Sequence, residues 1–223
     1  MVNTVRVMIF YDGNFFKQGN VYFNYKEEKG WFSLPQLHNL IERYVALKAK
    51  TSTDITKVVA AHYYDGRTTT KAAVGDQLEK ERKFEMALID AGIIPHYLPV
   101  KETPKGKGED IQYSIAQKGV DVQLAIDVLD YAHADRYDIA VLITGDADFI
   151  PLVRRVTSLS KNAVIAYFSI DSWEDNRGIK HSGTYASKAL LDAASWCLNF
   201  NDLIKDRDWK TEINSLFFKP SKN

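Results

Sequence analysis

Apolar runs and amphipathic stretches alternate along the whole chain. Residues 5–11 form an apolar run with β-branched members, interrupted only by Arg6 and ending at Asp12-Gly13-Asn14. A short apolar run closed by turn residues reads as a buried strand. Residues 20–32 alternate Val21, Phe23 and Tyr25, break at Lys26-Glu27-Glu28-Lys29-Gly30 and resume at Trp31 and Phe32, the pattern of a small hairpin. Leu37, Leu40, Ile41, Tyr44 and Val45 fall on one helical face. A second buried strand is expected at 55–64, closed by Asp65-Gly66, and a helix at 73–91, stopped by Gly92. A third strand at 93–100 leads into a Gly/Pro/Lys loop at 101–110. Next come a helix over 111–134 bent at Gly119, a very apolar strand at 138–144, a helix at 149–160 and a fifth strand at 163–169. The last clear helix spans 187–198, and a polar tail over 206–223 carries a Leu216-Phe217-Phe218 cluster. Strands alternating with helices predict an α/β fold, a parallel sheet covered on both faces. The expected organisation is one domain over 1–204, with a hairpin insertion near 20–33, and a tail over 205–223. No internal repeat or low-complexity segment is present.

Composition narrows the class. Hydrophobic residues make up 45% of 223, enough for a sizeable core. No run of eighteen apolar residues occurs, so no transmembrane helix and no membrane partner are expected. The N-terminal run is too short and lacks the flanks of a secretory signal. Cys197 is the single cysteine, which rules out an intrachain disulfide and a cysteine zinc site and fits a reducing cytoplasm. The formal net charge is zero, so any phosphate-binding surface is a local patch rather than a bulk field.

In doubly wound sheets ligands bind beyond the carboxyl ends of the strands. The first strand is followed by Asp12-Gly13-Asn14, and the strand at 138–144 by Gly145-Asp146-Ala147-Asp148. Helix capping is the plain alternative for each of these residues, and it is strongest for Asp148, directly ahead of a helix. It does not explain two aspartates around one small residue together with a third after another strand. Asp121 is a fourth candidate. At about 100° per residue it shares a helical face with Leu124, Ala125, Val128 and Ala132, where an unpaired charge is costly unless it merely caps a helix restarting after Gly119. Asp127 lies off that face, where a solvated residue is the commoner reading, and ranks second. Four converging carboxylates repel one another, and a divalent cation relieves this. Carboxylate oxygens suit Mg²⁺ or Mn²⁺, and the chemistry that uses such a set is phosphodiester hydrolysis.

The strings Phe10-Tyr11-Asp12-Gly13-Asn14-Phe15-Phe16, Lys118-Gly119-Val120-Asp121-Val122-Gln123-Leu124-Ala125-Ile126-Asp127 and Ile143-Thr144-Gly145-Asp146-Ala147-Asp148-Phe149-Ile150-Pro151-Leu152 resemble the three signatures of the LabA-like NYN domains. These belong to the PIN-like nuclease superfamily. Order and spacing agree, and the resemblance spans residues 5–203. It implies a Rossmann-like three-layer sandwich around a mainly parallel sheet and an endoribonuclease activity. It also implies Asp12, Asp121, Asp146 and Asp148 as catalytic, metal-binding carboxylates, with Asn14 and Thr144 as polar helpers at the substrate. The family often has Ser where Ala147 stands, so a hydroxyl is missing here.

Other residues carry weaker signals. Lys118, Arg154 and Arg155 flank the acidic motifs and are candidate phosphate contacts to single-stranded or structured RNA, as are Lys101, Lys105 and Lys107 in the Gly-rich loop. Solvated surface charge is the ordinary alternative for each. Tyr22, Tyr25, Trp31 and Phe32 could stack bases but more often form a packing face, and Trp173 sits in a polar stretch as a loop anchor. The five histidines are isolated, which speaks against zinc hydrolysis. No Gly-x-Gly-x-x-Gly follows the first strand, which speaks against a dinucleotide. A haloacid-dehalogenase-type phosphatase needs Asp where Asn14 stands. The expected function is therefore a Mg²⁺- or Mn²⁺-dependent ribonuclease. The alternative is a non-catalytic NYN-fold module binding RNA or protein, and a homodimer is compatible with both.

Overall fold

The first apolar run is strand β1 (Val5–Asp12), and every side chain from Val7 to Tyr11 is buried. The computed structural model describes residues 4–67, 77–105, 112–116, 119–175 and 178–219. After β1 come α1 (Gly13–Tyr25), β2 (Trp31–Phe32), α2 (Leu34–Ala49), β3 (Thr56–Arg67), α3 (Gln77–Asp90) and β4 (Ile93–Pro99). The chain continues through β5 (Lys101–Lys105), β6 (Gln112–Ala116), α4 (Val120–His133), β7 (Ile139–Ile143), α5 (Ile150–Ser158) and β8 (Asn162–Tyr167). It ends with β9 (Trp173–Glu174), β10 (Lys180–His181), α6 (Lys188–Ala193), β11 (Trp196–Asn199), α7 (Phe200–Leu203), α8 (Lys210–Leu216) and β12 (Phe217–Phe218).

Six strands form one parallel sheet in the order β11-β8-β7-β1-β3-β4. Successive side chains of a strand point to opposite faces. Val7, Ile9 and Tyr11 of β1 therefore join a core with α1 and α2, while Met8 and Phe10 join a second core with α4 and α5. Burial on both faces is why β1 from Val7 to Tyr11 and β7 read as unbroken apolar runs rather than alternating ones. The result is the three-layer α/β sandwich expected from the alternation of elements. From β1 the chain moves outward to β3 and β4, then returns to the other side of β1 and moves outward through β7, β8 and β11. The order thus reverses between β1 and β7, where doubly wound sheets open their ligand crevice. Among the described residues, no helix is long and apolar enough to cross a membrane.

Several sequence expectations are corrected. Residues 20–33 are not a hairpin insertion. Phe16, Gly19, Asn20 and Phe23 are buried at helical spacing in α1, and Trp31–Phe32 pairs with Phe217–Phe218 from the far end of the chain. Residues 205–219 are accordingly packed on the domain rather than forming a separate tail. Trp209 and Leu216 are buried, and the Phe217 ring lies 4.7 Å from that of Phe32. Asp65-Gly66 does not close β3, which runs on to Arg67. The loop expected at 101–110 has its first half in strand β5, and the helix expected from 111 begins only at Val120, because 112–116 is the antiparallel partner of β5. The helix expected over 187–198 stops at Ala193. Ala194 turns extended at ψ 152, and Trp196–Asn199 joins the sheet edge.

Candidate active site

Two strand ends and one helix start build the site. β1 and β7 are hydrogen-bonded neighbours, with Tyr11 opposite Ile143, so Asp12 and Thr144 emerge side by side. Asp12 is the N-cap of α1, and its Oδ1 accepts from the Phe15 backbone N–H at 3.2 Å. Its Oδ2 accepts from the Thr144 hydroxyl at 2.9 Å. The same Thr144 oxygen accepts the Asp146 N–H at 3.3 Å, and Asp146 Oδ1 accepts the Asp148 N–H at 2.9 Å. The cap of the short helical turn at 147–149 is therefore Asp146, and Asp148 lies within that turn rather than capping it. The capping role is real at Asp12 and Asp146, yet it uses one oxygen of each.

Glycines let the backbones come this close. A Cβ at Gly13 would sit 2.5 Å from the Tyr64 carbonyl, and one at Gly145 would sit 2.4 Å from the Tyr185 carbonyl. The segment at 185–187 leans on the acidic loop, with the Ser187 N–H bonded to the Gly145 carbonyl at 2.9 Å. Sequence reasoning missed this wall.

Asp121 lies in the first turn of α4. The cap position there is Gly119, at φ 84, with no side-chain cap bond, so capping does not account for Asp121. Leu124, Val128 and Ala132 of its expected face are buried, but Asp121 itself stands at the exposed end of that face and bears no full burial cost. Its carboxyl is pushed upward by partial desolvation and then by the charges of Asp146 and Asp148. Asp12 is raised to about 6, first by burial, with Asp121 and Asp146 adding to the shift and the bonds from Phe15 and Thr144 opposing it. The four aspartates thus share one electrostatic field, with Asp12 at the base and Asp121, Asp146 and Asp148 exposed at the rim.

These donors are all hard oxygens, the set that Mg²⁺ and Mn²⁺ prefer. Among the described residues, no group of three His, Cys, Asp or Glu side chains closes around a common point. Mg²⁺ takes only one or two protein carboxylates and keeps waters, so the donor chemistry fits without a preformed cage. The Asp12 carboxyl is raised first by burial, and crowding by Asp121 and Asp146 adds to the shift.

The remaining expected residues separate. Thr144 is buried within the chain of bonds, and Asn14 is exposed in the first turn of α1. Arg154 and Arg155 lie on the solvent side of α5. Arg155 reaches Ser158 Oγ at 3.5 Å, and neither pairs with a site aspartate among the described residues. Lys118 and Lys107 fall outside the described residues, as do the side chains of Lys101 and Lys105.

Two polar groups beside the cluster were not singled out as a site. Buried Asp65, just past Tyr64, accepts from the Tyr63 hydroxyl at 3.0 Å and pairs with Lys17 of α1. On the other face Asp127 accepts from Tyr64 Oη at 2.8 Å and Gln123 Nε2 at 2.7 Å. His96 stacks on Tyr64 with ring centroids 4.5 Å apart and shares a 3.0 Å bond with His62. Asp127 is therefore a tether between α4 and β3 rather than a solvated residue. An aspartate directly after the apolar run Tyr63-Tyr64 was a readable signal for Asp65; the histidine network had none.

The NYN domain family model matches residues 6–181. A solved structure, a protein of unknown function from Vibrio parahaemolyticus RIMD 2210633, is similar with a TM-score of 0.55 at 20% sequence identity. The match covers 91% of this chain and 96% of that one. At that identity the likeness speaks for the fold alone. No curated protein matches the chain.

Proposed function

The chain belongs to the NYN domain family, and on that premise we propose that it is a metal-dependent ribonuclease of the LabA-like group acting in the cytoplasm. The family is nuclease-like, within the PIN-like superfamily. The observation that carries the finer reading is the bonded chain Asp12–Thr144–Asp146–Asp148 at the sheet's reversal point, with Asp121 in the same electrostatic field.

In this reading Asp12, Asp121, Asp146 and Asp148 hold Mg²⁺ or Mn²⁺. The bound ion supplies an activated water and neutralises charge developing on the phosphate. Thr144 fixes the Asp12 carboxylate so that its orientation is set before substrate arrives. The exposed rim carboxylates accept a proton from an attacking water or orient it. Asn14 borders the substrate, buried Thr144 acts through Asp12 and the Asp146 N–H rather than by touching it, and Lys118, Arg154 and Arg155 contact phosphates outside the cluster. The test is incubation of the purified chain with mixed RNA and DNA, with Mn²⁺ and with chelator. Cleavage that needs Mn²⁺ and favours RNA is expected.

RNA binding without cleavage in Mn²⁺ or Mg²⁺ would instead select a non-catalytic NYN-fold module.

A further inference from the structure

A groove of about 990 Å³ opens beside α1, between it, β2, α3 and the ends of β3 and β4. That is at the upper end of ligand pockets, roughly 300–1,000 Å³. Lys17, Val21 and Tyr25 line it from α1 at i, i+4 and i+8, a single stripe of that helix. Rings from three other segments also line it: Trp31 of β2, packed edge-on against Tyr25 with centroids 5.7 Å apart, Tyr97 of β4 and Phe218 of β12. Tyr25 and Phe218 are 42% and 50% exposed, and Trp31 and Tyr97 are half-buried. Folded chains seldom leave several rings facing one open space without use for them.

One helix, α1, runs from the carboxylate cluster to the groove. α1 begins at its cap Asp12, and Lys17 follows little more than one turn later. At this end the cations are held in place: Lys17 by buried Asp65, and Arg67 by Glu85 while lying over the Tyr97 ring at 4.2 Å. Lys80, Glu81, Lys83 and Asp90 of α3 add charges of both signs to a wall that is otherwise mostly apolar. From Gly13 to Tyr25 the helix is roughly 20 Å long, about the length of six stacked nucleotides at 3.4 Å each.

We infer that this groove binds the bases of a single-stranded segment of nucleic acid, leading it toward Asp12. The inference rests on the nuclease reading for its direction but not for its binding. Stacking on rings tolerates any base, because every base has a π-face. Paired bases of an A-form duplex cannot be splayed into such a groove, so the site selects unpaired strands. Backbone phosphates stay at the Lys17 and Arg67 end and in solvent, consistent with the mostly apolar walls.

The experiment is fluorescence anisotropy of a labelled twelve-nucleotide oligouridine and of a blunt RNA duplex with the whole chain, in chelating buffer so that no cleavage intervenes. Ala87 is exposed on the groove wall, and Ala87→Trp fills it. Tyr25→Ala removes one ring from the surface. Both variants should melt as the unaltered chain does and bind oligouridine at least fivefold more weakly, the low end for one lost stacked base, with duplex binding unchanged. Unchanged oligouridine affinity in either folded variant overturns the proposal, as does equal weakening for the duplex or no binding by the unaltered chain. If Mn²⁺-dependent cleavage occurs while groove variants bind normally, the groove fails and the nuclease stands. If the variants lose binding and nothing cleaves, the groove stands and the nuclease fails.

Discussion

The Thr144 hydroxyl joins Asp12 to the acidic loop, donating to Asp12 Oδ2 at 2.9 Å and accepting the Asp146 N–H at 3.3 Å on the same oxygen. Thr144 is 1% exposed, so water cannot replace it. Thr144→Val keeps the shape and removes both bonds. It should destabilise the fold by about 1–3 kcal/mol, the range for a buried polar group left unsatisfied, and raise the Asp12 carboxyl further. Thermal melting and the pH profile of cleavage check this. Thr144→Ser should restore most of both, which a purely packing role for the threonine methyl would not allow.

Asp146→Asn keeps the acceptor that caps the Asp148 N–H and removes one charge from the cluster. It should abolish metal-dependent cleavage while leaving the melting temperature in chelator equal or higher, because repulsion with Asp12 and Asp121 is relieved. A melting temperature several degrees lower would mean that Asp146 serves chiefly as a cap.

Asp12, Thr144, Asp146 and Asp148 were legible because each follows a strand buried on both faces, and such strands announce their ends in the sequence. Asp121 was placed on a buried face inside a helix expected from 111, whereas it stands exposed in the first turn of α4, since periodicity gives an angle and neither the start of a helix nor its depth. Val21, Phe23 and Tyr25 misled because alternation over five residues also fits a helix whose partners lie elsewhere. The strand partner of Trp31 and Phe32 is Phe217–Phe218, which no local pattern can reveal. The β5–β6 pair failed for the opposite reason: Lys101–Lys105 is polar with a proline, so edge pairing there leaves little periodic trace. Lys17, Asp65 and the groove rings come from distant segments, and only the packed fold assembles them.

Stability should depend on pH from both sides in chelator. The Asp12 carboxyl is raised from 3.8 to about 6, so the folded state prefers its protonated form. Its contribution is fully present below pH 4 and is lost as pH rises through 6, by up to about 3 kcal/mol. Asp12→Asn should therefore gain stability over the unaltered chain at pH 7.5 and not at pH 4. His62 moves the opposite way, lowered from 6.5 to about 4 by burial and by His96. Its contribution is present above pH 6.5 and is lost as pH falls through 4, and His62→Phe should flatten that acid limb. Denaturant midpoints across pH 4–8 read both slopes. A flat profile for the unaltered chain contradicts both assignments.

Arg154 and Arg155 are exposed on α5, which begins at Ile150 just after Asp148. If they touch the RNA backbone, replacing both by Ala should weaken binding for every sequence and reduce the slope of log affinity against log salt by about 1–2. Melting should stay within about 0.5 kcal/mol, as for ordinary surface changes. An unchanged salt slope moves the phosphate track elsewhere, with the Lys17 and Arg67 end of the groove next to examine.

The products of cleavage separate two mechanisms that the same RNA-degrading activity would hide. A water activated at the aspartate cluster attacks phosphorus directly and has no need of the ribose 2′-hydroxyl. The carboxylates that orient such a water sit at the rim, exposed and close in electrostatic terms, as Asp121, Asp146 and Asp148 do. Cleavage by that route leaves a 3′-hydroxyl and a 5′-phosphate. The other route uses the 2′-hydroxyl as nucleophile, with a histidine or similar base, and leaves a 2′,3′-cyclic phosphate without a metal ion. The only paired histidines among the described residues, His62 and His96, lie on the face away from α1; His62 is buried and both have their protonation suppressed. They lack the access that route demands. End-group analysis of oligonucleotides cut with Mn²⁺ should therefore find 5′-phosphates, and EDTA should stop the reaction. The water route also permits slow cutting of single-stranded DNA, so preference for RNA must arise in binding, through the 2′-hydroxyl or strand shape. Cyclic-phosphate ends, or full activity in EDTA, would remove the aspartates from the chemistry and leave the family fold intact.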